Sequence, residues 1–175
     1  MFKEASTRLR VWIVAGVLLL LGVVAPAGAA GSHQVPFKGT MSVAGNPSGG
    51  MVSCSSPAGF STLQTIDLHG IISHLGETSG VETISGCSLD PATGLFVTNG
   101  TVVYTAANGD QVSGTFETTV QVLTGEVSFT AESTGGTGRF AGVTGSASGG
   151  GTVDLATHAG TVSFSGWMSS VGSSK

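Results

Sequence analysis

Charge is scarce in this chain: Lys and Arg together number 6, and Asp and Glu 10, among 175 residues. A nucleic-acid binder needs clustered cations to meet phosphates, and the Lys and Arg residues beyond residue 30 (Lys38, Arg139 and Lys175) are scattered. Cysteine is limited to Cys54 and Cys87, without the C-x-x-C spacing of a zinc site. The sequence has no G-x-S-x-G nucleophile elbow and no Walker lysine. The length suits one modest domain and leaves no room for a two-domain cofactor enzyme. No period of about 20–50 residues recurs, which excludes solenoids and propellers.

The longest apolar run lies at the start. Lys3, Arg8 and Arg10 precede an uncharged stretch from Val11 to Ala25, and Pro26-Ala27-Gly28-Ala29-Ala30 follows it. Basic, apolar and small in that order describe a secretory signal over residues 1–30, with a cleavage site after Ala29 or Ala30. A membrane-spanning helix needs about 20 apolar residues, more than this run supplies. Cleavage leaves no stable membrane anchor, and no Cys follows the site to carry a lipid. The expectation is a secreted or periplasmic protein with three basic and nine acidic residues.

What is abundant is glycine, serine and threonine. Beyond residue 30 there are 26 glycines and 42 Ser plus Thr. Glycine weakens helix interiors, Thr and Val favour strands, and no helical spacing of apolar residues appears. The alternation is that of strands with one wet and one dry face. Phe37, Met41 and Val43 share a face; so do Val127, Phe129 and Ala131, and again Val162, Phe164 and Met168. Asn108-Gly109 predicts a two-residue type I′ hairpin, pairing Thr105 with Val112 and Thr101 with Phe116 and facing Tyr104 outward with Ser113 and Thr115. Gly45 to Ser61, with Pro47, Pro57 and paired glycines, reads as a long loop or an irregular edge. The expected organisation is an irregular strand-and-loop region over 31–64, a β core over 65–169 and a flexible tail over 170–175. About eight short strands suit an antiparallel barrel or a sandwich.

In an exported chain the cysteine pair favours a disulfide. It would close a loop of about 34 residues and stabilise by roughly 3–4 kcal/mol on the chain-entropy account. Two buried free thiols are the other reading.

The segment Gly135-Gly136-Thr137-Gly138-Arg139-Phe140-Ala141-Gly142-Val143-Thr144-Gly145 stands out. With Ser73-His74-Leu75-Gly76, Tyr104 to Asp110 and the strand Val127 to Thr130, it resembles the allene oxide cyclase and dirigent-type β-barrels. It is most similar to their exported bacterial relatives of unassigned activity. The resemblance covers about His69 to Met168 and implies an all-β, single antiparallel eight-stranded up-and-down barrel, preceded by the signal segment, whose interior can hold an apolar ligand. Plant members of the family either cyclise a fatty-acid epoxide or steer the coupling of phenolic radicals, and a homo-oligomer follows by analogy alone.

The same glycines satisfy a dinucleotide pattern, but no helix can follow them, since Val143 to Gly151 is itself glycine-rich. They read instead as a tight connection in which Phe140 plugs the barrel end. Arg139 is a candidate anchor for a ligand carboxylate, or the partner of an acid such as Glu117 or Glu132. Phe116, Phe129 and Phe164 are candidate lining residues. His69 and His74 are placed on opposite faces of one strand with Asp67, a poor geometry for a metal or a triad. Glu77 and Glu82 read as solvent-facing. No catalytic residue, metal set or cofactor is assigned. The resulting expectation is a carrier of a small apolar or amphiphilic molecule. The alternatives are a cyclase or isomerase acting on a lipid-derived or phenolic substrate, and an envelope module without ligand.

Overall fold

The computed structural model describes residues 34–56 and 59–169; the expected signal segment over 1–30, His33 and the expected tail over 170–175 lie outside the described residues. Eight strands follow one another: β1 (Gln34–Ser53), β2 (Ser61–Ile72), β3 (Gly76–Asp90), β4 (Leu95–Ala106), β5 (Gln111–Gln121), β6 (Glu126–Gly136), β7 (Gly145–Asp154) and β8 (Ala159–Ser169), with one 3-10 turn at Gly138–Phe140. Each pairs antiparallel with its sequence neighbours, and β1 closes on β8 from Gln34↔Ser169 to Ala44↔Ala159. The choice between sandwich and barrel is settled by that seam: this is a closed up-and-down barrel of eight strands.

Alternation puts one residue in two inside. Met41, Leu68, Ile84, Phe96, Val162 and Phe164 are buried in the lumen, whereas their strand neighbours Ser42, His69, Ser163 and Ser165 face water. The outer wall is therefore rich in hydroxyls. Burial of the inner faces is the main source of stability, at about 25 cal/mol per Å² of apolar surface removed from water.

Two expectations are corrected. Of the two readings of Gly45 to Ser61, Gly45 to Ser53 is irregular strand rather than loop, so the barrel begins at β1 rather than at Thr65. Asn46 pairs with Thr65 and Met51 with Leu63, and the register shifts between them. Pro47 and the paired glycines fall inside that shift, where a proline without an N–H costs no ladder bond. The irregular part shrinks to the β1–β2 connection. There Ser55 bridges to Ser88, and Cys54 and Cys87 form a disulfide with Cα atoms 4.6 Å apart. The cysteine pair is thus bonded, as the sequence favoured.

The second correction concerns the β4–β5 hairpin. Ala106 N–H donates to Asp110 O and Gly109 N–H to Ala106 O, each at 2.8 Å, with Gly109 at φ +87°. This is a three-residue connection, a type I turn followed by a left-handed glycine. The observed pairs are Thr105↔Gln111, Tyr104↔Val112 and Gly100↔Phe116, one residue away from the two-residue turn. A slip of one exchanges the faces of a strand. Tyr104 consequently points into the lumen and Val103 points out.

The two ends differ. At one, the β6–β7 connection folds over the lumen and Phe140, with no exposed surface, plugs it. Gly138 sits at φ +54° there, and a Cβ on it would collide with the Asp110 carboxylate. That is a direct reason for glycine in the motif. The other end, formed by the β1–β2, β3–β4, β5–β6 and β7–β8 connections, stays open.

Candidate ligand site in the barrel lumen

The lumen is not solid. A cavity of about 120 Å³ occupies the half toward the open end, lined by Met41, Leu68, Ile84, Phe96, Val120 and Val162 among others. A smaller one of about 40 Å³ lies toward Phe140, between Ile72, Leu75, Val102, Val112 and Met168. Tyr104, Phe129 and Phe164 line both and form a waist between them. Phe164 meets Phe129 edge-on at 5.9 Å and Phe37 at 6.1 Å between ring centroids, geometries favoured by the ring quadrupole.

Small residues make the waist possible. Gly80 pairs with Tyr104 across the β3–β4 ladder, and a Cβ there would lie 2.8 Å from Tyr104 Cδ1. Gly39 pairs with Phe164, and its Cβ would lie 2.6 Å from the ring. Glycine at these positions hands its volume to the aromatic ring opposite.

Polar groups enter the larger cavity from β3 and β4. The inward residues of β3 are Thr78, Gly80, Glu82 and Ile84, so Glu82 projects into the apolar lumen. Its carboxylate accepts no hydrogen bond from the described residues. Burial pushes its pKa from 4.5 to about 7, because a charge in this setting loses water without gaining a partner. Glu82 is half-buried at the cavity wall. Tyr104 lies diagonally across the ladder, since Glu82 pairs with Val102. Burial raises the phenol's pKa, and the neighbouring Glu82 charge raises it further. Thr98 and Thr118, paired across β4 and β5, add two hydroxyls to the wall.

The mouth is set by the β7–β8 turn, where Asp154, Leu155 and His158 reach the cavity. Asp154 caps that turn by accepting from the Ala156 and Thr157 amides at 2.8 and 3.2 Å. These bonds hold its carboxyl below the usual range.

Of the residues singled out from sequence, Phe129 and Phe164 line the cavities. Phe116 is buried but lines neither. Arg139 sits beside the plug, away from both: its Nη2 donates to His74 O at 2.9 Å and its Nε lies 3.7 Å from Asp110 Oδ2. Its ionic partner is thus Asp110 rather than Glu117 or Glu132, which face outward. His74 is not on β2 but in the β2–β3 turn at φ +71°, with Nε2 3.1 Å from Pro36 O. Asp67 accepts from Asn46 at 3.0 Å, and His69 faces outward and is exposed. The solvent-facing reading of Glu82 is corrected by its place in the lumen. Its parity with Ile84 carried the signal; Tyr104 was hidden by the hairpin register.

No protein-family model matches the chain, and no curated protein matches it in sequence. Among solved structures it is similar to the pterocarpan synthase dirigent protein GePTS1, at 16% identity and a TM-score of 0.44, over 81% of this chain and 88% of that one. The barrel architecture rests on the strand pairing described above.

Proposed function

We propose that this barrel binds a small apolar molecule of about one ring, carrying one hydrogen-bonding group that meets Glu82 or Tyr104. The observation that carries the reading is a half-buried carboxylate, without a protein partner among the described residues, at the wall of an apolar cavity of about 120 Å³. Size bounds the ligand. Drug-sized ligands occupy roughly 300–1,000 Å³, whereas an apolar cavity of about 150 Å³ accommodates benzene. A single phenolic ring fits; an intact long acyl chain does not. Export, inferred from the leader pattern and supported by the disulfide, and kinship with the exported bacterial barrels, inferred from the Gly135–Gly145 motif, belong to the same proposal.

The test uses single-ring probes and calorimetry. Toluene and p-cresol should bind across pH 5–8.5. The 4-methylbenzoate anion should bind below about pH 6 and be excluded above about pH 8, where Glu82 carries its charge. Glu82→Gln should remove that pH dependence. Absence of binding by both neutral rings would overturn the reading.

One observation favours a second reading. A carboxyl with a pKa about 7 populates acid and base forms together near neutrality, as proton-transfer catalysis requires. The barrel would then be an isomerase or cyclase for a single-ring phenolic substrate with Glu82 as its proton carrier. Glu82→Gln would keep p-cresol binding and lose turnover.

A further inference from the structure

The open end has an unusual surface. Phe60 lies in the β1–β2 connection, Leu95 at the β3–β4 turn, Leu123 in the β5–β6 turn and Leu155 in the β7–β8 turn; each is exposed, Leu123 at 87%. Met51, near the end of β1, is exposed beside them at 59%. Three of the four connections at this end therefore present a large apolar side chain to water, and Leu95, the first residue of β4, flanks the fourth. At the plugged end the large apolar residues of the connections, Leu75, Phe140 and Val143, are buried. The rim also continues into the cavity. Leu155 belongs to both, and Phe60 stacks edge-on against the lining residue Phe96 at 5.3 Å.

From this we infer that the open end docks on a neutral or zwitterionic lipid surface. Exposed apolar side chains on three connections and at the start of β4 lie at one end of the barrel and can meet an apolar boundary together, as interfacial anchors do. The hydroxyl-rich outer wall is the inverse of a lipid-facing barrel wall, so insertion stops at the tips. Charge selects the occupant. Asp90, Glu126 and Asp154 flank the rim, while the described cations Lys38 and Arg139 lie toward the plugged end. An anionic surface would be repelled, and a second copy placed end to end would set three carboxylates against three. Phosphatidylcholine carries no net charge and offers the apolar layer that the rim fits. Docking stands on the rim alone; passage of a ligand from the lipid into the lumen rests on the binding function proposed above.

Flotation with vesicles tests it, using the barrel unit Ser32–Lys175, whose strands close on themselves. The unit should float with phosphatidylcholine vesicles. Leu123→Asp and Met51→Asp should each weaken partitioning about tenfold, the loss expected for one anchoring apolar side chain. Ile71→Asp, which alters an exposed apolar residue on the side wall (65% exposed), should leave it unchanged. Replacing one-fifth of the lipid by phosphatidylglycerol should weaken binding at low salt, and added salt should restore it. Failure of the unit to float, equal effects of L123D and I71D, stronger binding to anionic vesicles, or a dimer that L123D dissociates would each overturn the inference. Failure to float alongside intact p-cresol binding would remove the docking and leave the binding function; the opposite pattern would remove the binding function and leave the docking.

Discussion

The two ends of this barrel are built from the same kind of connection and held in opposite ways. At the plugged end, Leu75, Phe140 and Val143 turn inward, and Arg139 ties the β2–β3 turn to the β4–β5 hairpin. At the open end, Phe60, Leu95, Leu123 and Leu155 turn outward, and the Cys54–Cys87 disulfide fastens the β1–β2 connection to β3. Packing secures one end and a covalent bond the other. The difference teaches where a small barrel can keep empty volume: the larger cavity lies in the half whose connection is fixed by the disulfide, not by a plug. Eight strands enclose about as much space as side chains can fill, so a cavity needs some wall positions left small and some other source of rigidity.

Breaking the plug should have the largest effect. Phe140→Ala removes a fully buried ring and should lower unfolding stability by about 3–5 kcal/mol, the range for such truncations. Chemical denaturation measures it. The variant should also open a second entrance, so that p-cresol leaves faster than from the parent protein.

Removing the covalent fastening comes next. Cys54→Ser with Cys87→Ser should cost about 3–4 kcal/mol through the greater freedom of the unfolded chain, since the bond spans 33 positions. Reductant should destabilise the parent protein by the same amount and leave F140A's additional loss unchanged, because the sites lie at opposite ends and should add. Strong non-additivity would show that the two ends are not independent.

Between the ends sits Glu82. Its folded pKa, about 7, lies above the unfolded value near 4.5. The folded state therefore holds a proton that the unfolded state has released, and stability falls as pH rises through that window. The loss should reach about 3 kcal/mol by pH 7 and level off above it. In Glu82→Gln this component should vanish, leaving the variant more stable than the parent at pH 8 and nearly equal at pH 4. Denaturation midpoints against pH decide it. A flat profile in the parent would mean that water reaches the carboxylate freely and that the cavity is not apolar in solution.

These residues also show what the sequence made legible. Alternation in β6 and β8 places Phe129 and Phe164 inside without further information, and the glycine motif placed Phe140 at the barrel end. The barrel itself came from the resemblance, since alternation alone serves a sandwich equally well; the β1–β8 seam is a long-range fact. Tyr104 was lost because Asn-Gly suits two turn geometries that differ by one residue, and that residue decides which face a strand presents. Glu82 was lost because a carboxylate is normally outside, whereas its strand parity with Ile84 carries it into the lumen. Pro47 suggested a loop because the bulge that absorbs it depends on a partner strand, not on local sequence.

The smallest expected effect tests whether the plugged end needs its charge as well as its ring. Arg139 reaches the His74 carbonyl at 2.9 Å and stands 3.7 Å from Asp110, with its guanidinium 4.7 Å from the Phe140 ring centroid. Its side chain is 38% exposed, so water screens the ion pair. Arg139→Met, which keeps the apolar stem over the ring, should cost about 1 kcal/mol. A double-mutant cycle with Asp110→Asn should assign no more than about 0.5 kcal/mol to the charge pair. The cation would then be a clasp on a plug that packing already holds, and p-cresol affinity should be unaltered in both variants. A fall in affinity on Arg139→Met would instead tie the plug to the cavity beyond the waist, so that the two halves of the lumen respond as one.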